Sequence, residues 1–490
     1  MSHRASILGR GYANRQFDSP RVRFRRALTL CLMTIVAPGA AQLAVGNKWI
    51  GRIVLAVWVA TLGGAGYLLI SGRMDRKRLL DLATNTDFLL FARVAIITVA
   101  IGWIVLFLDA WRLGSPFRLN FVRAAFLTVL NVAIIVSAVR STAYASKLVD
   151  TQRTVVSEVF KATKVSTPLK GRYNILLIGS DSGAGRLGVR TDSMTVASID
   201  ADTGKTVLIS LPRNLENVPF PEDSPMHKVY PYGYNCGSEC LLNAVHTTAA
   251  GRTDLYPNSK DPGLDATIDA VRGVTGLKIN YYTMINMLGF SSLVNAVGGV
   301  TIDVKTRIAM FGHDDAYVNK YIEPGTQQLD GNQALWYARS RVQSDDYTRM
   351  GRQKCLMSAM LHELSPTTVL VNATRILASG KDLLSTSIPS KELGQFAELA
   401  LRSRKERVMT VSLVPPTIST VNPDFVQIRA LINDTIRRSE FTAAEAASTS
   451  TSTLTDGKPA AAADPSTTAT TTKDPSQRQA NSTEDLANAC

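Results

Sequence analysis

The chain has 490 residues, which excludes a single ordinary domain. Its net charge of +14 and pI near 9.6 indicate an anionic partner, such as nucleic acid, anionic lipid or phosphate. Residues 1–26 hold seven arginines and one acidic residue, Asp18. Because this arm adjoins an apolar run, we interpret it as a cytoplasmic arm that flanks a membrane rather than one that binds nucleic acid.

Four apolar stretches follow the arm, at residues 27–47, 53–72, 88–108 and 124–139. A helix needs about 20 apolar residues to cross a bilayer, so residues 27–140 are predicted to form a membrane region of three to four helices. Pro38-Gly39 interrupts the first stretch and makes it the candidate for a re-entrant or interfacial helix. Four crossings would leave both chain ends on one side, whereas three would export the C-terminal part.

A polar helical stalk at 141–170 leads to a predicted globular domain at 171–440. Aliphatic runs predict strands, and apolar positions at helical spacing predict helices. Strands mixed with helices are typical of a layered α/β domain with a mixed sheet. No aromatic residue follows Phe441, and residues 441–490 are predicted to be a disordered Ala/Thr/Ser-rich tail. The predicted strands are 173–179, 193–200, 205–211, 280–286 and 300–304; the predicted helices are 239–250, 263–273, 287–297, 331–340 and 349–364.

A glycine-rich segment, Gly183-Ala-Gly185-Arg-Leu-Gly188, matches the spacing of a dinucleotide-binding loop. That loop must open a helix so that the pyrophosphate meets the helix N-terminus. Here the chain continues into another predicted strand, which argues against a dinucleotide site. Asp181 stands where a nucleophile elbow requires serine, which argues against a serine hydrolase.

Two carboxylates flank this loop. Asp181 ends the first strand and Asp192 follows the loop, just before the second strand, so a loop that folds back would turn both toward one pocket. Mg²⁺ prefers one or two carboxylates together with water and phosphate oxygens. Arg190 and Asp192 share a face of an extended chain, and a surface salt bridge between them is the alternative interpretation.

Arginines form the second feature. In an extended chain, Arg339-Ser-Arg341 would point both guanidinium groups one way, suited to bidentate contacts with phosphate. Arg349 and Arg352 lie three apart on a helical face, ahead of Gln353. Together with Arg213, these arginines would be costly to bury without an anionic ligand. A solvated helix face is the alternative.

The chain has five cysteines. Cys236 and Cys240 are four residues apart, and no second ligand pair supports a zinc site. A local disulfide is favoured if this part is exported. Two free thiols, or a bridge to Cys355, are the alternatives.

Five blocks in order resemble the LytR-CpsA-Psr family over about residues 171–365. They begin with Asn174-Ile-Leu-Leu-Ile-Gly-Ser-Asp181 and Arg190-Thr-Asp192-Ser-Met, and continue with Ser210-Leu-Pro-Arg213 and Leu293-Val-Asn-Ala-Val-Gly-Gly-Val300. The last runs from Gly325 through Leu329-Asp-Gly331 to Arg339-Ser-Arg341. Asn214, Asn295 and the several apolar stretches depart from the family pattern. The cysteine pair and the tail suggest an actinobacterial member.

The resemblance implies an α/β fold, which is a layered α/β/α extracytoplasmic domain with a mixed central sheet. An α-helical membrane region precedes this domain. The resemblance implies a protein of the cell membrane that transfers a glycopolymer, such as arabinogalactan, teichoic acid or capsular polysaccharide, from a polyprenyl-pyrophosphate carrier to peptidoglycan. The several apolar stretches, and not the resemblance, predict that this protein is multi-pass. No nucleic acid partner is expected. The alternatives are a lipid-pyrophosphate hydrolase and a non-catalytic membrane-bound transcriptional regulator.

The resemblance also implies roles for individual residues. Mg²⁺, or alternatively Mn²⁺, would be held by Asp181 and Asp192. Asp346 and Asp181 are candidates for the general base. The pyrophosphate would be gripped by Arg190, Arg213, Arg339 and Arg341, and further substrate contacts would come from Lys228, Arg349, Arg352 and Gln353.

Overall fold

A computed structural model describes residues 20–74, 76–162, 164–181, 190–311, 320–342, 344–363, 384–441, 481 and 484–490. Internal contacts divide the chain into two compact units, Met1–Thr154 and Val155–Cys490. The glycine-rich segment and most of the tail lie outside the described residues.

The first unit is helical. Three of its segments are long and apolar enough to cross a membrane: Lys48–Gly72, Thr86–Arg118 and Phe121–Val159. The last joins the fourth apolar stretch and much of the stalk in one helix. The helices are α1 Pro20–Val36, α2 Ala40–Val45, α3 Lys48–Met74, α4 Arg76–Thr84, α5 Thr86–Leu113 and α6 Phe121–Val159.

The first apolar stretch breaks where proline and glycine predict. α1 ends at Val36, and Gly39 has a φ of 93°, a conformation that favours glycine. A Cβ at Gly39 would lie 2.8 Å from the carbonyl oxygen of Gly51, so the break packs directly against α3. The stretch therefore forms two short helices instead of one spanning helix.

The second unit is built on a six-stranded sheet of order β10-β3-β2-β1-β4-β9. β1 pairs antiparallel with β2 and parallel with β4, which confirms the mixed sheet. All five predicted strands are present. The strands are β1 Arg172–Ser180, β2 Thr191–Asp200, β3 Thr206–Leu211, β4 Tyr281–Asn286, β5 Val300–Val304, β6 Ile308–Met310, β7 Lys320–Ile322, β8 Gly325–Leu329, β9 Leu384–Thr386 and β10 Met409–Ser412.

Helices cover both faces of this sheet, which confirms the layered α/β/α architecture. Strand residues alternate between the faces. Leu176 and Val196 pack against α7, α8 and α13 on one face, whereas Leu177 and Ala197 face α11, α12 and the C-terminal residues on the other. These helices are α7 Val245–Ala249, α8 Pro262–Thr275, α9 Met287–Ala296, α10 Gly331–Arg339, α11 Asp346–Glu363, α12 Leu393–Ser403 and α13 Phe425–Glu440.

A second core lies beside the sheet. Two small antiparallel pairs, β5 with β8 and β6 with β7, pack with α9, α10 and α11. α10 begins with a capping box in which Asp330 and Gln333 bond each other's backbone N–H groups, so its start is sharply defined. This core positions α10 and the start of α11 next to the sheet.

The last seven residues differ from the prediction. Residues 484–490 are ordered: the Thr410 N–H donates to the Glu484 carbonyl at 2.7 Å, and Leu486 is 1% exposed. The prediction of a disordered tail is therefore wrong for these residues. Leu486 anchors these residues in an apolar cluster with Leu208.

Two disulfides cross-link the second unit. Cys236 bonds Cys240, which confirms the favoured local bridge. Cys355 bonds Cys490, so the alternative bridge from the local pair to Cys355 is wrong. Because Cys490 is 135 residues away, its partner depends on the tertiary fold and not on local spacing.

Candidate active site

Several of the predicted charged residues lie together at one end of the central sheet. β2 runs antiparallel to both β1 and β3. The end of β1, the start of β2 and the end of β3 therefore lie at the same end of the sheet. Asp181 directly follows β1, Asp192 is the second residue of β2, and Arg213 lies two residues beyond β3. The strand directions therefore bring these three side chains to the same end of the sheet.

Arg213 connects this end of the sheet to α11 by hydrogen bonds. Its Nη1 donates to Asp192 Oδ1 at 2.9 Å, and its Nε donates to Asp346 Oδ1 at 2.9 Å. The other oxygen of Asp346 accepts from Arg349 Nη2 at 3.1 Å. Asn243 Nδ2 is a further donor to Asp192 Oδ1, at 3.4 Å. Asp192 thus pairs with Arg213 and not with Arg190, its neighbour in sequence.

The opposite charges of Asp192 and Arg213 stabilise each other's ionised form. Burial by itself would raise the pKa of Asp192, but the hydrogen bond and charge of Arg213 outweigh it and hold that pKa below its ordinary value. Burial likewise opposes the charge of Arg213, yet Asp346 and Asp192 raise its pKa above the ordinary value. Both groups are therefore ionised at neutral pH.

Arg349 is the most deeply placed cation of this cluster, with 3% of its surface exposed. Burial lowers its pKa, and the nearby charges of Arg213 and Arg341 act in the same direction against Asp346 and Asp192. Its Nε has no hydrogen-bond partner among the described residues. A buried guanidinium with an unused donor is suited to an anionic ligand.

Arg339 and Arg341 do not form the predicted extended pair. Arg339 is the last residue of α10, and the Ser340 N–H caps the helix through the Trp336 carbonyl. The Arg339 guanidinium lies 5.4 Å from the centre of the Trp336 ring, and its Nη2 is 3.8 Å from Asp181 Oδ2. Arg341 is exposed and lies close enough to influence Arg349. The two side chains reach the site from a helix end and from the loop after it.

Three other predicted residues have different surroundings. Arg190 is exposed; its carbonyl accepts from the Asp181 N–H at 2.9 Å, which holds the two ends of the glycine-rich segment together. Lys228 is exposed at the end of a 3-10 turn and forms no hydrogen bond or ion pair among the described residues. Arg352 is buried and donates to the Ser340 carbonyl and to Ser344 Oγ. These contacts hold Arg352 against the loop that carries Arg341.

A cavity extends from this cluster along α11. Its helical wall is the stripe Arg349, Gln353 and Met357, spaced four residues apart and spanning about 12 Å. Gln353 accepts from Ser193 Oγ at 3.4 Å. Leu208 belongs to the opposite wall, on the sheet. The cavity is narrow, with a volume of about 20 Å³, which is room for about one water molecule, and Lys354 and Thr410 line it beside Leu208 and Met357.

A profile of the LytR_cpsA_psr family matches residues 135–437, more than half of the chain. The chain belongs to this family. The charged cluster, the cavity and the mixed sheet all lie inside the matched range.

Two relatives show the extent of the similarity. Polyisoprenyl-teichoic acid–peptidoglycan teichoic acid transferase TagU of Oceanobacillus iheyensis is 29% identical over 222 residues, which cover 45% of this chain and 58% of the relative. Cell wall biosynthesis protein LcpA of Corynebacterium glutamicum is 24% identical over 302 residues, 55% of this chain and 57% of the relative. The chain thus spans somewhat more than half the length of each. The crystal structure of Bacillus subtilis TagV aligns with a TM-score of 0.39 and 23% identity, over 56% of this chain and 99% of TagV.

The donor set of this family member suits a hard cation. Among the described residues no group of three or more His, Cys, Asp or Glu side chains could hold a metal by itself. Asp181 and Asp192 offer carboxylate oxygens at one sheet edge, and both hydrogen bonds of Asp192 use Oδ1. One or two carboxylates completed by water and phosphate oxygens are the ligands that Mg²⁺ prefers.

The sequence interpretation missed two features of the site. Asn243, a donor to Asp192, stands in no recognisable motif and reaches the site from the 3-10 turn Leu242–Ala244. Lys354, on the cavity wall, follows the predicted Gln353 but faces the C-terminal residues. The sequence signal for Lys354 was a polar residue at a buried position of a predicted helix.

Proposed function

We propose that this protein is a phosphotransferase that moves a cell-wall glycopolymer from a polyprenyl-pyrophosphate carrier to peptidoglycan. The observation that carries the proposal is the charged cluster at one end of the sheet, in which the buried Arg349 has an Nε without a hydrogen-bond partner among the described residues. Arginines held in place by carboxylates in this way are suited to bidentate contacts with a phosphate group. The relative TagU is named as a transferase of teichoic acid from polyisoprenyl-teichoic acid to peptidoglycan. The cargo here is of the arabinogalactan, teichoic acid or capsular polysaccharide kind.

The proposed reaction is a single displacement at phosphorus. A muramic acid 6-hydroxyl attacks the sugar-bearing phosphorus, the bond to the bridging oxygen breaks, and polyprenyl phosphate leaves. Phosphoryl transfer depends on positioning and on neutralisation of charge. Arg213, Arg339, Arg341 and Arg349 supply the positive charge. Arg190, Lys228 and Gln353 stay proposed substrate contacts at the rim and along the cavity.

Asp346 takes a positioning role in this scheme. Both of its oxygens accept hydrogen bonds from arginines, Oδ1 from Arg213 and Oδ2 from Arg349. A carboxylate engaged in this way is a poor acceptor for the hydroxyl proton. We therefore assign Asp346 to orienting the two arginines, and Asp181 stays the other candidate base.

We further propose that Asp181 and Asp192 hold Mg²⁺, with Mn²⁺ as the alternative. When bound, the ion would supply positive charge to the pyrophosphate oxygens. Arg213 keeps Asp192 ionised and fixes its Oδ1, so the carboxylate is presented in one orientation.

We place the second unit outside the cytoplasm, in a multi-pass protein of the cell membrane. Two disulfides in this unit are typical of an oxidising compartment. Three crossings by the long apolar helices would put the arginine-rich N-terminus inside and the second unit outside. No nucleic acid partner is expected, because the site then faces the cell wall. The two relatives give no support to a hydrolase or to a transcriptional regulator.

The test uses the full-length protein in detergent with lipid-linked glycan, Mg²⁺ and peptidoglycan fragments. We expect glycan on the fragments, and a loss of roughly 100-fold or more in Asp192→Asn and in Arg339→Ala, as for removal of a charge-stabilising group. Chelation of the metal should stop transfer and added Mg²⁺ should restore it. Arg307→Ala is the matched control, since this exposed arginine pairs with Glu323 away from the cluster.

Unaltered transfer in both site variants would remove the site assignment. Release of free glycan phosphate with no product on peptidoglycan would favour the hydrolase. Transfer that persists after complete chelation would remove the metal proposal and leave the arginine cluster intact.

A further inference from the structure

A second and larger cavity, which we call the Tyr347 cavity, lies beside the start of α11. Its volume is about 290 Å³, whereas the cavity beside Arg349 has room for about one water molecule. This volume is close to the lower end of the roughly 300–1,000 Å³ that ligand pockets occupy. The residues that line it include Tyr347, Ser412, Pro415, Pro416, Thr417 and Asn481. The Tyr347 cavity can therefore hold a small molecule.

The Tyr347 cavity adjoins the charged cluster. Tyr347 directly follows Asp346, whose carboxylate accepts a hydrogen bond from Arg349. β10 runs parallel to β3 with Ser412 opposite Ser210, so Ser412 lies at the same end of the sheet as the cluster. A molecule in this cavity is therefore next to the residues that we propose bind the pyrophosphate.

Hydrogen bonds hold the aromatic wall of the cavity in place. The hydroxyl groups of Tyr347 and Thr420 hydrogen-bond at 2.8 Å, and Thr420 is buried. The Thr420 carbonyl in turn accepts from the Glu216 N–H at 2.9 Å. Asn481 Nδ2 donates to the Tyr347 carbonyl at 2.6 Å. The cavity is thus formed without a ligand, which lowers the cost of ordering its walls on binding.

Two residues that line the cavity each have a side-chain oxygen without a hydrogen-bond partner among the described residues. Ser412 and Asn481 are both 8% exposed, and the oxygens concerned are Ser412 Oγ and Asn481 Oδ1. Buried polar atoms in proteins are normally hydrogen-bonded. Two unpaired oxygens at one cavity therefore indicate a ligand that carries hydrogen-bond donors.

The lining residues distinguish between classes of ligand. None of the described residues that line the cavity is charged, so a phosphate or carboxylate group finds no opposite charge there. A purely apolar chain would leave the oxygens of Ser412 and Asn481 unpaired. A saccharide meets both conditions, because its hydroxyl groups can donate to these oxygens while its C–H face packs on the rings of Tyr347, Pro415 and Pro416.

We propose that the Tyr347 cavity binds a neutral sugar ring of a substrate. This inference rests on the proposed function, because that function brings two saccharides to the charged cluster, the glycopolymer and the peptidoglycan. Both carry the hydroxyl groups that the cavity can pair with. A sugar bound here lies next to Asp346 and the arginines it holds, so the cavity orients the saccharide for transfer.

The test measures binding of two neutral disaccharides to the full-length protein, in a detergent without a sugar head group. N,N′-diacetylchitobiose represents the N-acetylhexosamine chain of peptidoglycan, and galactobiose represents a hexose glycopolymer. Saturation-transfer NMR measures the affinity of each. We expect at least one of them to bind, and the one that binds identifies the substrate whose sugar occupies the cavity.

A variant that fills the cavity locates the binding. Thr417 is exposed at the cavity, and we expect Thr417→Trp to weaken binding of the disaccharide roughly tenfold, as for overpacking of a formed space. Val421→Trp is the matched control, since Val421 is 63% exposed on the same loop and does not line the cavity. The control should bind as the wild type does.

A second variant, Ser412→Ala, separates binding from folding. We expect it to weaken binding roughly threefold to tenfold, the effect of one lost hydrogen bond. Without saccharide its Tm should equal or exceed that of the wild type, because the hydroxyl that it removes has no partner in the free protein. Lower stability with unchanged affinity would give the hydroxyl a structural role and count against the proposal.

Binding of neither disaccharide would overturn the proposal, as would equal affinities in Thr417→Trp and Val421→Trp. These readouts need no transfer. A protein that binds a disaccharide in this cavity but moves no glycan would refute the proposed function and leave the cavity assignment standing. Transfer of glycan by a protein that binds neither disaccharide would do the reverse.

Discussion

Arg213 shows why the residue type matters in the charged cluster. Its Nη1 and Nε edges reach two carboxylates on different elements, Asp192 on β2 and Asp346 on α11. A lysine in its place would offer one compact ammonium group and no planar fork, so it could not hold both contacts in the same geometry. The guanidinium therefore fixes the helix start relative to the sheet edge.

Lys354 gives a pH dependence that can be measured. Burial lowers the pKa of its amine from 10.5 to about 8, although Glu484 and Asp485 oppose the shift. Between these two values the unfolded chain binds a proton that the folded chain releases, so the free energy of unfolding rises with pH. We expect a rise on the order of 3 kcal/mol at most between pH 8 and pH 10.5. Urea denaturation across this range measures it.

The matched comparison uses Lys354→Met, which keeps the apolar stem and removes the amine. The pH-dependent part of the stability should disappear in this variant and persist in Lys405→Met, a change at an exposed position. Equal pH slopes for wild type and Lys354→Met would contradict the buried position of the amine.

At the scale of elements, the end of α10 decides how the two arginines of Arg339-Ser-Arg341 are used. The helix continues through Arg339, so the alternation of an extended chain does not apply. Arg339 turns toward Asp181 and Arg341 lies near Arg349. One short segment therefore serves two parts of the site.

The approach of α9 to α10 depends on Gly331. A Cβ at this position would lie 1.9 Å from the Ser291 carbonyl oxygen, so the helices must separate to admit any side chain. We expect Gly331→Ala to lower the free energy of unfolding by roughly 1–3 kcal/mol, as for an overpacked core. Denaturation in urea measures the change.

Gly251→Ala is the control, because no heavy atom lies within 4 Å of the Cβ it would carry. It should change stability by much less. Equal stability of the two variants would show that α10 moves aside without cost, and Arg339 would then have no fixed position relative to Asp181.

At the scale of the whole molecule, the membrane topology follows from the number of crossings. The break at Pro38-Gly39 leaves three long apolar helices among the described residues. We expect an impermeant maleimide to label Cys31→Ala protein on intact cells only after reduction, because the four remaining cysteines form disulfides in the second unit, which we propose is exported.

The control places a thiol in the arm, as Ser6→Cys in the Cys31→Ala background. Without reductant, this thiol should react only after the membrane is permeabilised. If the disulfide cysteines also need permeabilisation, the second unit is cytoplasmic and the transfer proposal fails.

Local patterns in the sequence determined the strands, most of the helices and the order of the charged residues along the chain. The five predicted strands and the break at Pro38-Gly39 depend on neighbouring residues, and nearest-neighbour chemistry suffices to predict them. The placement of Asp181 and Asp192 at the ends of adjacent strands follows from the same patterns.

Only the tertiary structure decided which side chains meet. Asp192 pairs with Arg213 instead of Arg190, and Arg352 supports a loop instead of facing the cavity. Cys490 finds Cys355 across 135 residues, and this draws the chain end onto the cavity wall. Such partners are set by how sheet and helices pack, because contacts between distant segments leave no periodic trace in the sequence.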